Sequence, residues 1–132
     1  MLPMTAAFVA KAEHALATAE REAAVRDRPN FDAVCLHSER CAERYLKATL
    51  LEAGIPFPDT RHLVVLLQLC LDLDPHWEHF RHHLRLLTTH GFQVEEADSV
   101  VTLEMAQESL DLCQEFRTAV RTSLGLTAYL TE

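Results

Sequence analysis

A chain of 132 residues and 15.0 kDa has room for one core and not two. An apolar content of 48%, with three glycines and five prolines, excludes disordered and fibrous classes. The formal net charge of −8 excludes a general nucleic-acid coat protein, which needs many Lys and Arg to neutralise phosphates.

The first residues, MLPMTAAFVAKAEHALA, lack the basic start and continuous apolar run of a signal peptide, so a soluble cytoplasmic protein is expected. From Thr5 to about Asp27, Phe8, Ala12, Ala15, Ala19 and Ala23 recur at three- and four-residue steps, which predicts an amphipathic helix with Thr5 as its N-cap. Arg28-Pro29-Asn30 ends it, because the residue before proline is pushed out of helical geometry. A second long helix is predicted from Phe31 to about Ala53, with Val34, Cys35, Ala42, Tyr45, Leu46 and Leu50 on its inner side. Gly54 supplies its stop, and Pro56 and Pro58 forbid continuation. The short turn between these helices makes them antiparallel partners.

Asp59 or Thr60 is placed to cap a third helix, His62 to about Leu71, whose HLVVLLQLCL run is apolar nearly all round. Such a helix is expected to be central and well buried. Pro75 suits the first turn of a fourth helix reaching Thr89, with Gly91 ending it and an acidic loop following over residues 92–101. Thr102 opens a fifth helix to about Ser123, with Leu103, Ala106, Leu110, Cys113, Phe116 and Val120 inward. The tail from Gly125 to Glu132 is expected to be loose, with Leu126, Tyr129 and Leu130 able to dock on a partner. No strand pattern, repeat or apolar run of about 18 residues occurs, so an all-α single domain over 1–132 with no membrane segment is expected. Cys35, Cys41, Cys70 and Cys113 match neither a CxxC pair nor a secreted disulfide framework and read as buried thiols.

The chain has no Gly-rich phosphate loop and no Gly-x-Ser-x-Gly elbow, so P-loop, Rossmann and serine-hydrolase readings fall away. Chemistry concentrates in His76–Phe92, HWEHFRHHLRLLTTHGF, which holds five of the eight histidines together with Arg81 and Arg85. His79 and His83 stand four apart, a spacing zinc can use, but no third ligand is specified and Phe80 stands where a zincin motif has Glu. A polar histidine face is therefore expected, with no metal and no cofactor.

The second helix and its exit, VCLHSERCAERYLKATLLEAGIPFPDTRHLVVLL, resemble the signature of the HEPN family, the higher eukaryotes and prokaryotes nucleotide-binding domain. The matching residues are Ala42, Glu43, Leu46, Lys47, Leu50, Thr60, His62 and Leu63. Glu39-Arg40 stands where that family usually has a glutamine pair, and Arg61 is interposed between Thr60 and His62. The terminal helices, AKAEHALATAE and TLEMAQESLDLCQEF, extend the resemblance over nearly the whole chain. It implies an up-and-down helical bundle of about five helices, two long and antiparallel plus shorter ones, forming a homodimer.

The resemblance implies two functions. One branch of the family consists of metal-independent endoribonucleases, often in toxin–antitoxin or defence pairs, marked by Arg-x4-6-His, and Arg85-Leu-Leu-Thr-Thr-His90 fits that spacing. Cleavage of RNA without a metal needs a proton carrier, for which imidazole is suited, and a fixed cation at the phosphate, for which guanidinium is suited. The resemblance thus makes His90 the acid/base and Arg85 the phosphate clamp. The other branch comprises noncatalytic modules that bind nucleotide or protein and accompany a minimal nucleotidyltransferase. Its members often carry Arg-Tyr-Pro where this chain has His90-Gly91-Phe92. Phe92 also lacks the hydroxyl of the tyrosine that is adenylylated in some toxin pairs. His37, Arg40, Arg81 and His82 complete the candidate cleft residues, with His37 and Arg40 expected to line it together with helix four. Within a continuous helix five residues turn a side chain by about 140°, so Arg85 and His90 can share a site only if the helix ends near His90 or a second subunit completes it.

Overall fold

Most apolar stripes find a partner in the computed structural model of the protein, which describes residues 1–126, although Leu103, expected inward, lies 58% exposed at the start of the last helix. Five α-helices form: α1 (Pro3–Ala23), α2 (Phe31–Ala53), α3 (Leu63–Cys70), α4 (Arg81–Gln93) and α5 (Leu103–Ser123). A 3₁₀ turn over Pro75–Phe80 leads into α4. The described residues contain no strand, and the all-α helical bundle expected from the sequence is what forms. The expectations for Tyr129 and Leu130 lie outside the described residues.

The central element is α2, not α3. It packs against α1, α3, α4 and α5, and Val34, Cys35, Cys41, Tyr45, Leu46, Ala48 and Leu50 on it are fully buried. By contrast α3 buries Leu63, Leu66, Leu67 and Cys70 but leaves Val65 45% exposed, with Val64 and Leu69 half-buried. An eight-residue helix laid on one side of a bundle cannot be enclosed all round, so its outer apolar residues stay at the surface. The four cysteines are free and buried, as expected. Trp77 and Phe80 pin the 3₁₀ turn edge-on against Phe116 of α5, with ring centroids 5.5 Å and 5.1 Å apart.

Helix ends follow local chemistry, with corrections at several places. Asn30 caps α2, its side chain accepting from the Ala33 amide at 3.0 Å, and Thr102 caps α5 by accepting from Met105. Gly54 takes φ 71°, and the amides of Gly54 and Ile55 return to the carbonyls of Leu51 and Leu50. Thr5 is not the cap of α1, because Pro3 already starts the helix and Thr5 is buried in its first turn. That helix also stops at Ala23, short of Asp27. The N-cap position of α3 is His62, and the Thr60 hydroxyl accepts from the His62 amide in a turn just before it. No helix of the described residues is long and apolar enough to cross a membrane.

Candidate functional site

Gly91 does not end the fourth helix. It lies inside α4, which runs on to Gln93, and it is glycine for a reason of space. A Cβ at this position would stand 2.1 Å from Oε2 and 2.6 Å from Cδ of Glu39, whose side chain is wholly buried beneath α4. The Glu39 carboxylate is held by Arg61, whose Nη2 and Nε donate to Oε1 at 2.8 Å and 3.2 Å. Two of the residues that depart from the resembled signature therefore pair with each other: a carboxylate in place of glutamine is met by the interposed arginine. Arg61 also donates to Glu95 at 2.6 Å and lies 4.7 Å from the centre of the Phe92 ring. Burial pushes the Glu39 carboxyl above its usual range, and the bond from Arg61 only partly opposes it.

Because α4 is continuous, Arg85 and His90 face different ways. The Nε2 of His90 lies 2.7 Å from Oε1 of Glu108 on α5, while its Nδ1 is enclosed with no partner among the described residues. One ring nitrogen is thus engaged and the other is shut off from solvent. Arg85 is exposed and makes no ion pair among the described residues. It lines a largely apolar cleft of about 370 Å³ between α3 and α4, with His62, Val64, Val65, Thr88 and Phe92. His62 is exposed there and meets Phe92 edge-on at 5.2 Å. The imidazole that shares a cleft with Arg85 is therefore His62, which the Arg-x4-His spacing does not name.

The remaining candidates scatter. His37 and Arg40 do not reach α4; they face α1 across a groove with Lys11, His14, Thr18 and Arg44. Steps of three and four residues along α2 place His37, Arg40 and Arg44 on one face, and the antiparallel neighbour on that face is α1. Arg81 is tied by two bonds of 2.8 Å to Glu78 and one to Gln68, at the edge of a shallow apolar surface containing Pro58, Val65 and Leu69. His82 is exposed. The other histidines of the segment serve locally: His79 contacts the His76 carbonyl, and Nε2 of His83 lies 3.5 Å from Glu115. Among the described residues no group of three or more His, Cys, Asp or Glu is arranged to hold a metal ion.

A buried polar cluster went unnoticed in the sequence. Glu13 of α1 accepts from Nε and Nη2 of Arg117 at 2.7 Å and 2.8 Å and from the Tyr45 hydroxyl, which in turn accepts from Arg121 at 3.2 Å. Burial would raise the Glu13 carboxyl, but the bonds from Arg117 and Tyr45 and the charges of Arg117 and Arg121 outweigh it and hold the group below its usual range. Glu13 and Arg117 are 104 positions apart, so no local spacing could have announced the pair.

Compared with known families, the chain matches the model of the HEPN domain over residues 5–123. No curated protein and no solved structure gives a significant match.

Proposed function

The chain belongs to the HEPN family, and on that premise we propose that it is a noncatalytic binding module whose α3–α4 face docks a partner protein, of the minimal nucleotidyltransferase class that the family resemblance implies. The observation that carries this reading is the uninterrupted α4. It sends His90 to Glu108 with neither ring nitrogen open to a 2′-hydroxyl, while Arg85 points into an apolar cleft. Exposed Val65, half-buried Val64 and Phe92, and an unpaired guanidinium at the cleft form an apolar centre with a charged anchor, a composition suited to protein contact.

The test combines RNA cleavage in EDTA with co-purification of a nucleotidyltransferase encoded beside this chain. Absence of cleavage by the folded wild type, together with a complex weakened at least tenfold by Val65→Asp or Arg85→Ala, is the expected result. A complex indifferent to both substitutions overturns the docking face. One observation favours a ribonuclease instead: His62 and Arg85 line one cleft, so an imidazole and a guanidinium do meet there. Cleavage in EDTA that is lost in His62→Ala and Arg85→Ala but kept in His90→Ala would establish that second reading.

A further inference from the structure

Carboxylates outnumber Lys and Arg in this chain by 20 to 12, yet none lines the concavity of about 260 Å³ between α1 and α2. Its walls are two rows of residues at i, i+3 and i+7: Lys11, His14 and Thr18 on α1, and His37, Arg40 and Arg44 on α2. Neither Lys11, Arg40 nor Arg44 forms an ion pair among the described residues, whereas Lys47, Arg61, Arg81 and Arg117 all do. Arg44 is half-buried even so. Arg21 brings a further guanidinium to the rim by donating to Thr18 at 3.3 Å. Between the rows the floor is the small, buried side chain of Ala15. Of the other helices, α1 packs to any extent only against α2 and α5, so the outer side of the α1–α2 seam is uncovered.

Like charges held together without partners raise the energy of the folded chain, and a partner bearing carboxylates relieves it. We propose that the α1–α2 groove is a docking surface for an acidic helix of another protein, one that carries Glu or Asp in a row along a single face. Carboxylates on such a face recur at three- and four-residue steps, about 5–6 Å apart at Cβ, which is the interval between Arg40 and Arg44. Each guanidinium can grip one carboxylate through two bonds, and Lys11 meets the row from the opposite wall. A small residue on the floor lets the ridge of a third helix settle between the first two. Burial, and next the charges of Arg40 and Arg44, hold the His37 imidazole below its usual range, so near neutral pH it adds hydrogen bonding to the groove and no charge.

Other occupants fit less well. No Phe, Tyr or Trp lines the groove, so a base has no aromatic wall to stack on, and a long polyanion would have to leave across the surface of a protein of net charge −8. A second copy offers the acidic row Glu104, Glu108, Asp111 and Glu115 on α5, but Glu108 and Glu115 already lie against His90 and His83 of their own α4. The groove shares no residue with the α3–α4 face, so this proposal and the docking reading of that face stand or fall separately.

The experiment is fluorescence polarisation of the full chain with a labelled synthetic helix of about 18 residues, Ala- and Gln-rich, with Glu along one face. A second peptide of the same composition spreads its Glu residues round the helix, and a third has Gln for every Glu. At about 20 mM salt the one-faced peptide is expected to bind at least tenfold more tightly than either control, and to weaken steeply by about 150 mM. The pair Arg40→Gln with Arg44→Gln should weaken it at least tenfold, since each removes a charge-assisted contact. Arg26→Gln, which removes a charge from the turn after α1, should change nothing. Failure of the folded wild type to bind the one-faced peptide overturns the proposal, and so does equal affinity for the spread one, which would reduce the groove to diffuse charge. Binding undiminished in the double variant overturns it as well. So does oligouridylate that displaces the peptide at lower concentration than the unlabelled peptide does, and so does salt-sensitive self-association of the wild type that the double variant loses, which would make the occupant a second copy.

Discussion

Two junctions of this bundle each carry a glutamate into the interior, and the two carboxylates fare oppositely. Where α1 meets α2 and α5, Glu13 is met by Arg117, Tyr45 and the charge of Arg121, and its carboxyl sits below the usual range. Where α2 meets α4, Glu39 is buried more completely but has, among the described residues, only Arg61 as a donor, bound to one of its two oxygens, and its carboxyl sits above the usual range. Burial acts in the same direction at both. The number of donors that converge on the carboxylate decides which effect wins. The first junction is thus a saturated polar lock, and the second a tight, half-satisfied joint beneath the helix that carries Arg85 and His90.

The strongest way to break that contrast is Glu13→Gln. Removing the charge at the centre of a buried ion cluster takes away the carboxylate that Arg117 grips through two bonds, and a loss of about 3–5 kcal/mol at neutral pH is expected by urea denaturation. The pH dependence has a definite sign. A carboxyl lowered by folding contributes stability that is present above its unfolded value and lost as pH falls through its folded one. The gap between wild type and variant should therefore narrow in acid. A loss below about 1 kcal/mol at neutral pH, typical of an exposed ion pair, would show that the lock does not hold the bundle.

At the second junction the sharper probe is Gly91→Ala. The added methyl collides with a carboxylate that is buried and tethered by Arg61, so a cost of about 1–3 kcal/mol is expected, against the gain a helix interior normally shows when Gly becomes Ala. Combining it with Glu39→Ala removes the colliding atoms, and the double variant should lose less than the sum of the two single losses. Strict additivity would mean that Gly91 and Glu39 do not share the space.

The same contrast explains which parts of the molecule could be read from sequence. Helices α2 and α5, the Gly54 stop and the Thr102 cap were legible because periodicity and capping are local, set by residues a few positions apart. Gly91 was misread as a stop because a glycine near a helix end has two explanations. The one that holds here depends on Glu39, on a different helix. The spacing of Arg85 and His90 was legible, but their divergence followed from α4 continuing through Gly91, a consequence of that same distant packing. The cluster around Glu13 joins residues from opposite ends of the chain, and the pairing of Glu39 with Arg61 spans 22 positions. In each case the decisive contact is tertiary, and sequence spacing carries no record of it.

The smallest effect belongs to Glu39→Gln, and it tests the contrast most directly, because the substitution keeps the shape and removes the charge. At neutral pH the change in stability should be on the order of 1 kcal/mol, since Gln can still accept from Arg61 and Arg61 keeps Glu95 and Phe92. Its sign against pH should be opposite to that at Glu13. A carboxyl raised by folding contributes stability that is complete below its unfolded value and is lost as pH rises through its folded one. Wild type should therefore lose ground to the variant as pH rises above the ordinary carboxyl range, whereas the Glu13→Gln difference changes only as pH falls below that range. Denaturation of both variants from acid to neutral pH gives two difference curves of opposite slope if donor number governs these carboxylates, the Glu13 curve sloping below the ordinary carboxyl range and the Glu39 curve above it. Curves of the same slope would mean that burial alone sets both, and that Arg61 contributes packing over Phe92 rather than charge to the joint beneath α4.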